Sequence, residues 1–129
     1  MKMTQQVFNE LIAHALKEAP IEACGYLAEK DDVVSMSLPL TNIDAAADHF
    51  SMDPKEQFES IRRIRIDGMK LCAVYHSHPA TLARPSPEDI RLAFDPNLSY
   101  VIVSLLDGRT VKSFRIKNGV VYPEEITIV

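Results

Sequence analysis

The run Met69-Lys70-Leu71-Cys72-Ala73-Val74-Tyr75-His76-Ser77-His78-Pro79 decides how the rest of the chain is read. Gly68 marks a helix stop before it and Pro79 follows it, so the spacing predicts a strand from Met69 to His78. Successive side chains of a strand point to opposite faces, which places Cys72, Val74, His76 and His78 on one side. Upstream, Asp53-Pro54-Lys55-Glu56 offers an N-cap aspartate, a proline at the first helical position and a glutamate that can complete a capping box; a helix is predicted over about 54–67. Downstream, Ser86-Pro87-Glu88-Asp89 starts another helix, running to Phe94 before Asp95-Pro96.

Further out, Val7, Phe8, Leu11, Ile12, Ala15, Leu16 and Ala19 recur at helical spacing until Pro20 ends the pattern. Two extended runs follow, Ile21 to Glu29 and Val33 to Leu40, split by Lys30-Asp31-Asp32 in a predicted hairpin. At the other end, Tyr100 to Leu106 and Arg109 to Ile116 flank Asp107-Gly108, and Asn118-Gly119 follows. Both dipeptides tolerate positive φ and favour type I′ turns, so the last third reads as a β meander. Gly25 alone among the glycines sits inside a predicted strand, where another backbone, including that of a substrate, can approach closely.

The chain has 129 residues, 47% hydrophobic and 25% charged, without internal repeat or linker, and is expected to form one α/β domain over 1–129. A net charge of -4 argues against nucleic acid or anionic lipid as the main partner. No apolar run approaches the roughly 20 residues of a membrane helix, and the first residues lack a signal-peptide core, so a cytoplasmic protein is expected. Cys24 and Cys72 are too few for a disulfide framework and are expected to be buried thiols.

His76-Ser77-His78 points two imidazoles the same way, about 6 to 7 Å apart along the strand, from where two nitrogens can converge on one ion. Alone, such a pair is more often simply hydrogen-bonded, and Ser86-x-x-Asp89 alone is an ordinary capping box. The combination, His-x-His then seven residues then Ser-x-x-Asp, arises by chance in about one sequence in two thousand of this composition. Two imidazoles and one carboxylate also leave a tetrahedral zinc its fourth position for water, the mark of a catalytic rather than a closed site. Zinc lowers the pKa of that water to about 7. A proton acceptor is still required, and Glu22 in Ile21-Glu22-Ala23-Cys24-Gly25-Tyr26-Leu27 is a candidate.

Glu22 in its Glu-x-Cys-Gly-Tyr-Leu context, His76-Ser77-His78-Pro79 and Ser86-Pro87-Glu88-Asp89 together resemble the JAMM (MPN-plus) metalloproteases, especially their short stand-alone prokaryotic members. The resemblance implies a single MPN-like α/β domain, with a mixed, largely antiparallel sheet flanked by helices in a cytidine-deaminase-like arrangement. It implies zinc held by His76, His78 and Asp89, with Glu22 as general base and Ser86 hydrogen-bonding the oxyanion. It further implies cleavage of the amide or isopeptide bond after the Gly-Gly tail of a small ubiquitin-fold protein. The loop from Asn97 onward is too short for the insertions of members acting on polyubiquitin, which favours a sulfur-carrier protein as partner and a cysteine-type adduct as substrate.

Rival readings are a general small-peptide or ubiquitin-like isopeptidase and a non-catalytic MPN-type scaffold. A zinc deaminase would need His-x-Glu and a later Pro-Cys-x-x-Cys, and neither occurs. Arg84 offers a contact for an acidic substrate group or is a solvated loop residue. Arg62, Arg63 and Arg65 read as a solvated helix face, Met36, Met52 and Met69 as core or gap filler, and His14 and His49 as surface or capping residues.

Overall fold

The computed structural model describes residues 1–106 and 108–129. Among the described residues the elements are β1 (Lys2–Met3), α1 (Gln5–Glu18), β2 (Cys24–Lys30), β3 (Val33–Leu40), α2 (Pro54–Ile66), β4 (Lys70–His78), α3 (Pro87–Arg91), β5 (Ser99–Ser104), β6 (Thr110–Lys117), β7 (Val120–Glu124) and β8 (Thr127–Ile128). They form one mixed sheet in the order β7-β6-β5-β4-β2-β3-β1-β8. The expected strand from Met69 to His78 is thus the inner strand β4, antiparallel to β2 and parallel to β5.

Each neighbour follows from local chemistry. Thr4 caps α1 by accepting from the Val7 N–H, and Val7, Leu11 and Ala15 form its buried stripe. The stripe is narrower than expected, since Leu16 is 44% exposed. The β2–β3 hairpin turns through Asp31 and Asp32, with φ of 52° and 64°, and β6–β7 through Asn118 and Gly119, with φ of 51° and 76°. Both turns match the type I′ chemistry of their residues. In the expected turn at Asp107-Gly108, Asp107 lies outside the described residues.

Three boundaries differ from expectation. The run from Ile21 becomes a strand only at Cys24, because the Glu22 N–H is taken by the Ala46 carbonyl rather than by a neighbouring strand. β1 carries no sequence period of its own at two residues, and is made by parallel pairing with β3 and β8. α3 ends at Arg91 rather than Phe94: the bond from Ala93 N–H to Ile90 O tightens the last turn, and the Tyr100 hydroxyl holds both backbone groups of Asp95.

β4 also breaks the alternation expected of it. Ala73 pairs with Leu27 and Leu71 with Ala28, so Cys72 is the extra residue of a β-bulge. Cys72 accordingly packs with the α1-side core of Leu11, Leu27, Ala73 and Tyr75. Leu71 and Val74 join Cys24, Tyr26 and Ile61 in the α2-side cluster. From Val74 onward the alternation is regular, so His76 and His78 share the face away from α1. Gly25 has a packing reason rather than a substrate one: a Cβ there would run into the Tyr75 ring and the Leu38 carbonyl. Tyr75 is thereby laid flat across β2, and its hydroxyl meets His14 Nδ1 at 2.7 Å. Both cysteines are free thiols, Cys24 buried and Cys72 half-buried, and burial pushes both up to about 12.

Candidate metal centre

β4 carries His76 and His78 to one face, and the first turn of α3 carries Asp89 to meet them. Nε2 of His76 and Nε2 of His78 are 3.0 Å apart, and each is 3.1 Å from Oδ2 of Asp89. The histidines are buried, and the Asp89 side chain is 14% exposed. Among the described residues this is the group of three side chains whose donor atoms converge as metal ligands would.

The capping box and the convergence are compatible. Ser86 Oγ accepts from Asp89 N–H at 3.0 Å, and Asp89 Oδ2 accepts from Ser86 N–H at 2.9 Å. The cap therefore aims the carboxylate rather than competing for it. On the other flank, His78 Nδ1 donates to the Leu82 carbonyl at 2.8 Å, a bond that leaves Nε2 with its lone pair facing the site. Burial opposes ionisation of Asp89, but without a metal, when protons sit on the imidazole nitrogens that face it, hydrogen bonds from His76 and His78 and from the Ser86 backbone win and hold its carboxyl below the usual carboxylate range.

This donor set fits a metal ion. A tetrahedral ion with bonds of about 2.0 to 2.1 Å has ligand atoms roughly 3.3 Å apart, close to the 3.0 and 3.1 Å found. Two nitrogen lone pairs and a carboxylate oxygen at that spacing repel one another unless a cation or proton lies between them. Each of His78 and Asp89 is also oriented by a hydrogen bond from behind. His76 is held differently, by the Phe50 ring stacked on it at 4.9 Å between centroids. One side of the cluster opens to a cavity of 410 Å³ with a largely apolar wall that includes Tyr26, Phe50, Val74, Tyr100 and Ile102.

Glu22 sits immediately before β2, 4% exposed, and its Oε1 has no hydrogen-bond partner among the described residues. Burial raises its carboxyl to about 8; His78 and His49 pull it down, while Asp89 and Asp48 push it further up. These couplings place Glu22 within electrostatic reach of the cluster. An orphaned, buried carboxyl of this kind costs stability, and a group kept at such a cost is a candidate for a functional role. The Ser86 hydroxyl, accepting from Asp89 N–H, keeps its own hydrogen uncommitted among the described residues.

Of the two histidines expected at the surface or in a cap, His49 is a surface residue, its side chain 41% exposed, at the rim of the cavity, bonded to Asp48 at 2.8 Å and 3.5 Å from Asp44. His14 needs correcting: its side chain is 10% exposed and meets Tyr75. Arg84 is exposed, as a solvated loop arginine would be, and so are Arg62, Arg63 and Arg65. Asn42, Phe50 and Leu82 escaped the sequence reading, because each acts through a contact set by loop path rather than by residue spacing.

The 36% identity with a CysO-cysteine peptidase of Mycobacterium tuberculosis extends over 94% of this chain and 86% of that protein. A Thermus thermophilus protein named "Probable TtuB-protein conjugate cleaving protease" is 34% identical over 88% of this chain and 74% of its own length. Among solved structures, a protein from Desulfitobacterium hafniense superposes with a TM-score of 0.91 at 45% identity, covering 99% of this chain and 92% of the other. The family described as prokaryotic homologs of the JAB domain matches residues 4–117. With the fold, the converging donors and these likenesses in agreement, the chain belongs to the prokaryotic JAB-domain family.

Proposed function

We propose that the protein is a zinc-dependent hydrolase that cleaves the amide or isopeptide bond after the Gly-Gly tail of a small ubiquitin-fold protein, a sulfur carrier bearing a cysteine-type adduct. The observation that carries this reading is the convergence of His76, His78 and Asp89 donors within 3.1 Å, with the unpartnered Glu22 carboxyl electrostatically coupled to His78 and Asp89. Held by those three residues, zinc supplies Lewis acidity to the scissile carbonyl and to the attacking water. The choice of zinc over other divalent ions rests on the two-imidazole, one-carboxylate set.

Glu22 accepts the proton of the attacking water and delivers it to the leaving amine nitrogen, two transfers that need a carboxyl whose proton affinity lies near neutrality. Its raised value of about 8 shows how strongly burial favours the protonated form; positive charge at the cluster acts in the opposite sense and makes the carboxylate available. The Ser86 hydroxyl donates to the carbonyl oxygen as negative charge develops there. Burial of His76, His78 and Glu22 shields these transfers from bulk water except on the side that opens to the cavity. A glycine-rich tail suits the site because side-chain-free backbone approaches buried donors closely.

Two of the relatives support the substrate class by name, one for CysO-cysteine and the other for TtuB-protein conjugates. The leaving amine belongs to an amino acid in the first and to a protein in the second. The single sheet running through the described residues supports one domain over 1–129. Among the described residues, no helix is long and apolar enough to cross a membrane. The two free thiols support a reducing, cytoplasmic setting.

The test is intact-mass spectrometry of ubiquitin-fold carriers extended beyond Gly-Gly, by cysteine or by a longer peptide, with wild type and Glu22→Ala. A mass loss matching cleavage after Gly-Gly, only with wild type and abolished by chelator, is expected. Zinc-loaded protein that leaves every carrier and general peptide intact would instead favour the scaffold reading.

A further inference from the structure

Glu22 lies outside the sheet, and its backbone is held by the segment between β3 and α2. Its N–H donates to Ala46 O at 2.9 Å, and its carbonyl accepts from Asn42 Nδ2 at 3.0 Å. The same Nδ2 donates to His49 O at 3.0 Å and reaches Ala46 O at 3.5 Å. On its other side, Asn42 Oδ1 accepts from the N–H groups of Asp44 and Ser51, each at 3.2 Å. A carboxamide has two donor hydrogens and two acceptor lone pairs, so this half-buried side chain is committed in full. Ladder bonds close the loop beneath it, with Asn42 bridged to Met52 and Ile43 N–H donating to Ser51 O.

The loop so closed also delivers Phe50 onto the His76 ring, near parallel at 28°. One side chain therefore links the backbone of the residue whose carboxyl has no partner to the loop that carries the aromatic wall of the cluster. The Oδ1 side bonds only within the loop, whereas the donor side, besides reaching His49 O within the loop, ties it to the Glu22 carbonyl.

We infer that Asn42 is a positioning residue for Glu22, a role that rests on the hydrolase reading above. Its donor half ties the Glu22 backbone to the loop at His49, and its acceptor half holds Asp44 and Ser51 of the loop. Asn42→Asp separates the halves, because the carboxylate still accepts from Asp44 and Ser51 but donates to neither Glu22 nor His49. Asn42→Ala removes both without adding charge. Glu56→Gln serves as control: it disturbs the neighbouring end of β3 through Thr41, to which Glu56 is bonded, without touching Glu22.

The measurements are kcat and KM on the cleaved carrier, zinc content, and amide hydrogen exchange. For both Asn42 variants kcat should fall at least about tenfold with KM within about twofold, since a shift of about 1 Å at a reacting group costs up to about a hundredfold. Zinc should stay at the wild-type level. The Glu22 amide should lose protection, while the Ala23 amide, bonded to Ser77 Oγ at 2.7 Å, should keep it. Unchanged Glu22 exchange with unchanged kcat overturns the proposal, as does a fall in kcat that follows lost zinc or is matched by Glu56→Gln. Wild type that cleaves nothing while Glu22 is protected sinks the hydrolase reading and this role with it, whereas an active wild type with indifferent variants sinks this role alone.

Discussion

Replacing Glu22 by glutamine keeps the shape of a buried side chain and removes its ability to take and give a proton, and two magnitudes follow. In the metal-free protein, the carboxyl moves from the usual 4.5 to about 8, burial being the main cause. That difference corresponds to at most about 5 kcal/mol favouring the protonated carboxyl in the folded state. Because the folded chain holds this proton more tightly than the unfolded chain, the contribution is fully present below about pH 4.5 and is lost as the pH rises through 8. Wild type without metal should therefore lose stability relative to Glu22→Gln across that window, with the gap closing at the acid end. Other titrating groups are common to both proteins, so the difference between their urea-denaturation free energies from pH 5 to 8.5, in chelator, isolates Glu22. In the metal-loaded protein the same substitution should lower kcat by about 10² to 10⁴, the usual worth of a general acid–base group, with zinc retained. Parallel stability curves for the two proteins would show that Glu22 titrates as an exposed acid and would refute the argument from burial.

Asp89→Ala and His78→Ala should each weaken zinc binding by at least about a hundredfold in a chelator competition, and full metal content in Asp89→Ala would leave that residue only its cap. Ser86→Ala should lower kcat by about 10 to 10³ through the lost oxyanion donor, and cost about 1 kcal/mol of stability through the lost cap; a thermal melt beside the kinetics separates the two, and unchanged kcat removes Ser86 from the reaction. Gly25→Val should destabilise the fold by at least about 1 to 3 kcal/mol, because its side chain meets the Tyr75 ring and the Leu38 carbonyl. An unaltered melting temperature would show that Tyr75 has room to move.

Much of the site was legible because the relevant geometry is local. His76 and His78 are two residues apart on one strand, and the period of a strand puts them on one face whatever surrounds it. Ser86 and Asp89 form a capping box from four consecutive residues, which fixes the carboxylate direction relative to the helix start. The type I′ turns at Asp31-Asp32 and Asn118-Gly119 are local in the same sense. By contrast, extending the alternation back to Cys72 failed, because between its pairs with Leu27 and Ala28 β4 carries one residue more than β2. Gly25 was read as room for a substrate; the neighbour that fills the space is Tyr75, fifty residues away.

The sequence by itself determined the longer elements, the shared face of the two histidines, the cap that aims Asp89 and the chemical character of the donor set. Each depends on backbone periods and on hydrogen bonds spanning a few residues. Tertiary structure alone decided that Asp89 Oδ2 meets both imidazoles, that Glu22 is buried without a partner, and that Asn42 and Phe50 reach Glu22 and His76. These are contacts between segments 11 to 26 residues apart, set by how the 42–52 loop and α3 pack over the sheet, and no spacing rule encodes the path of a loop.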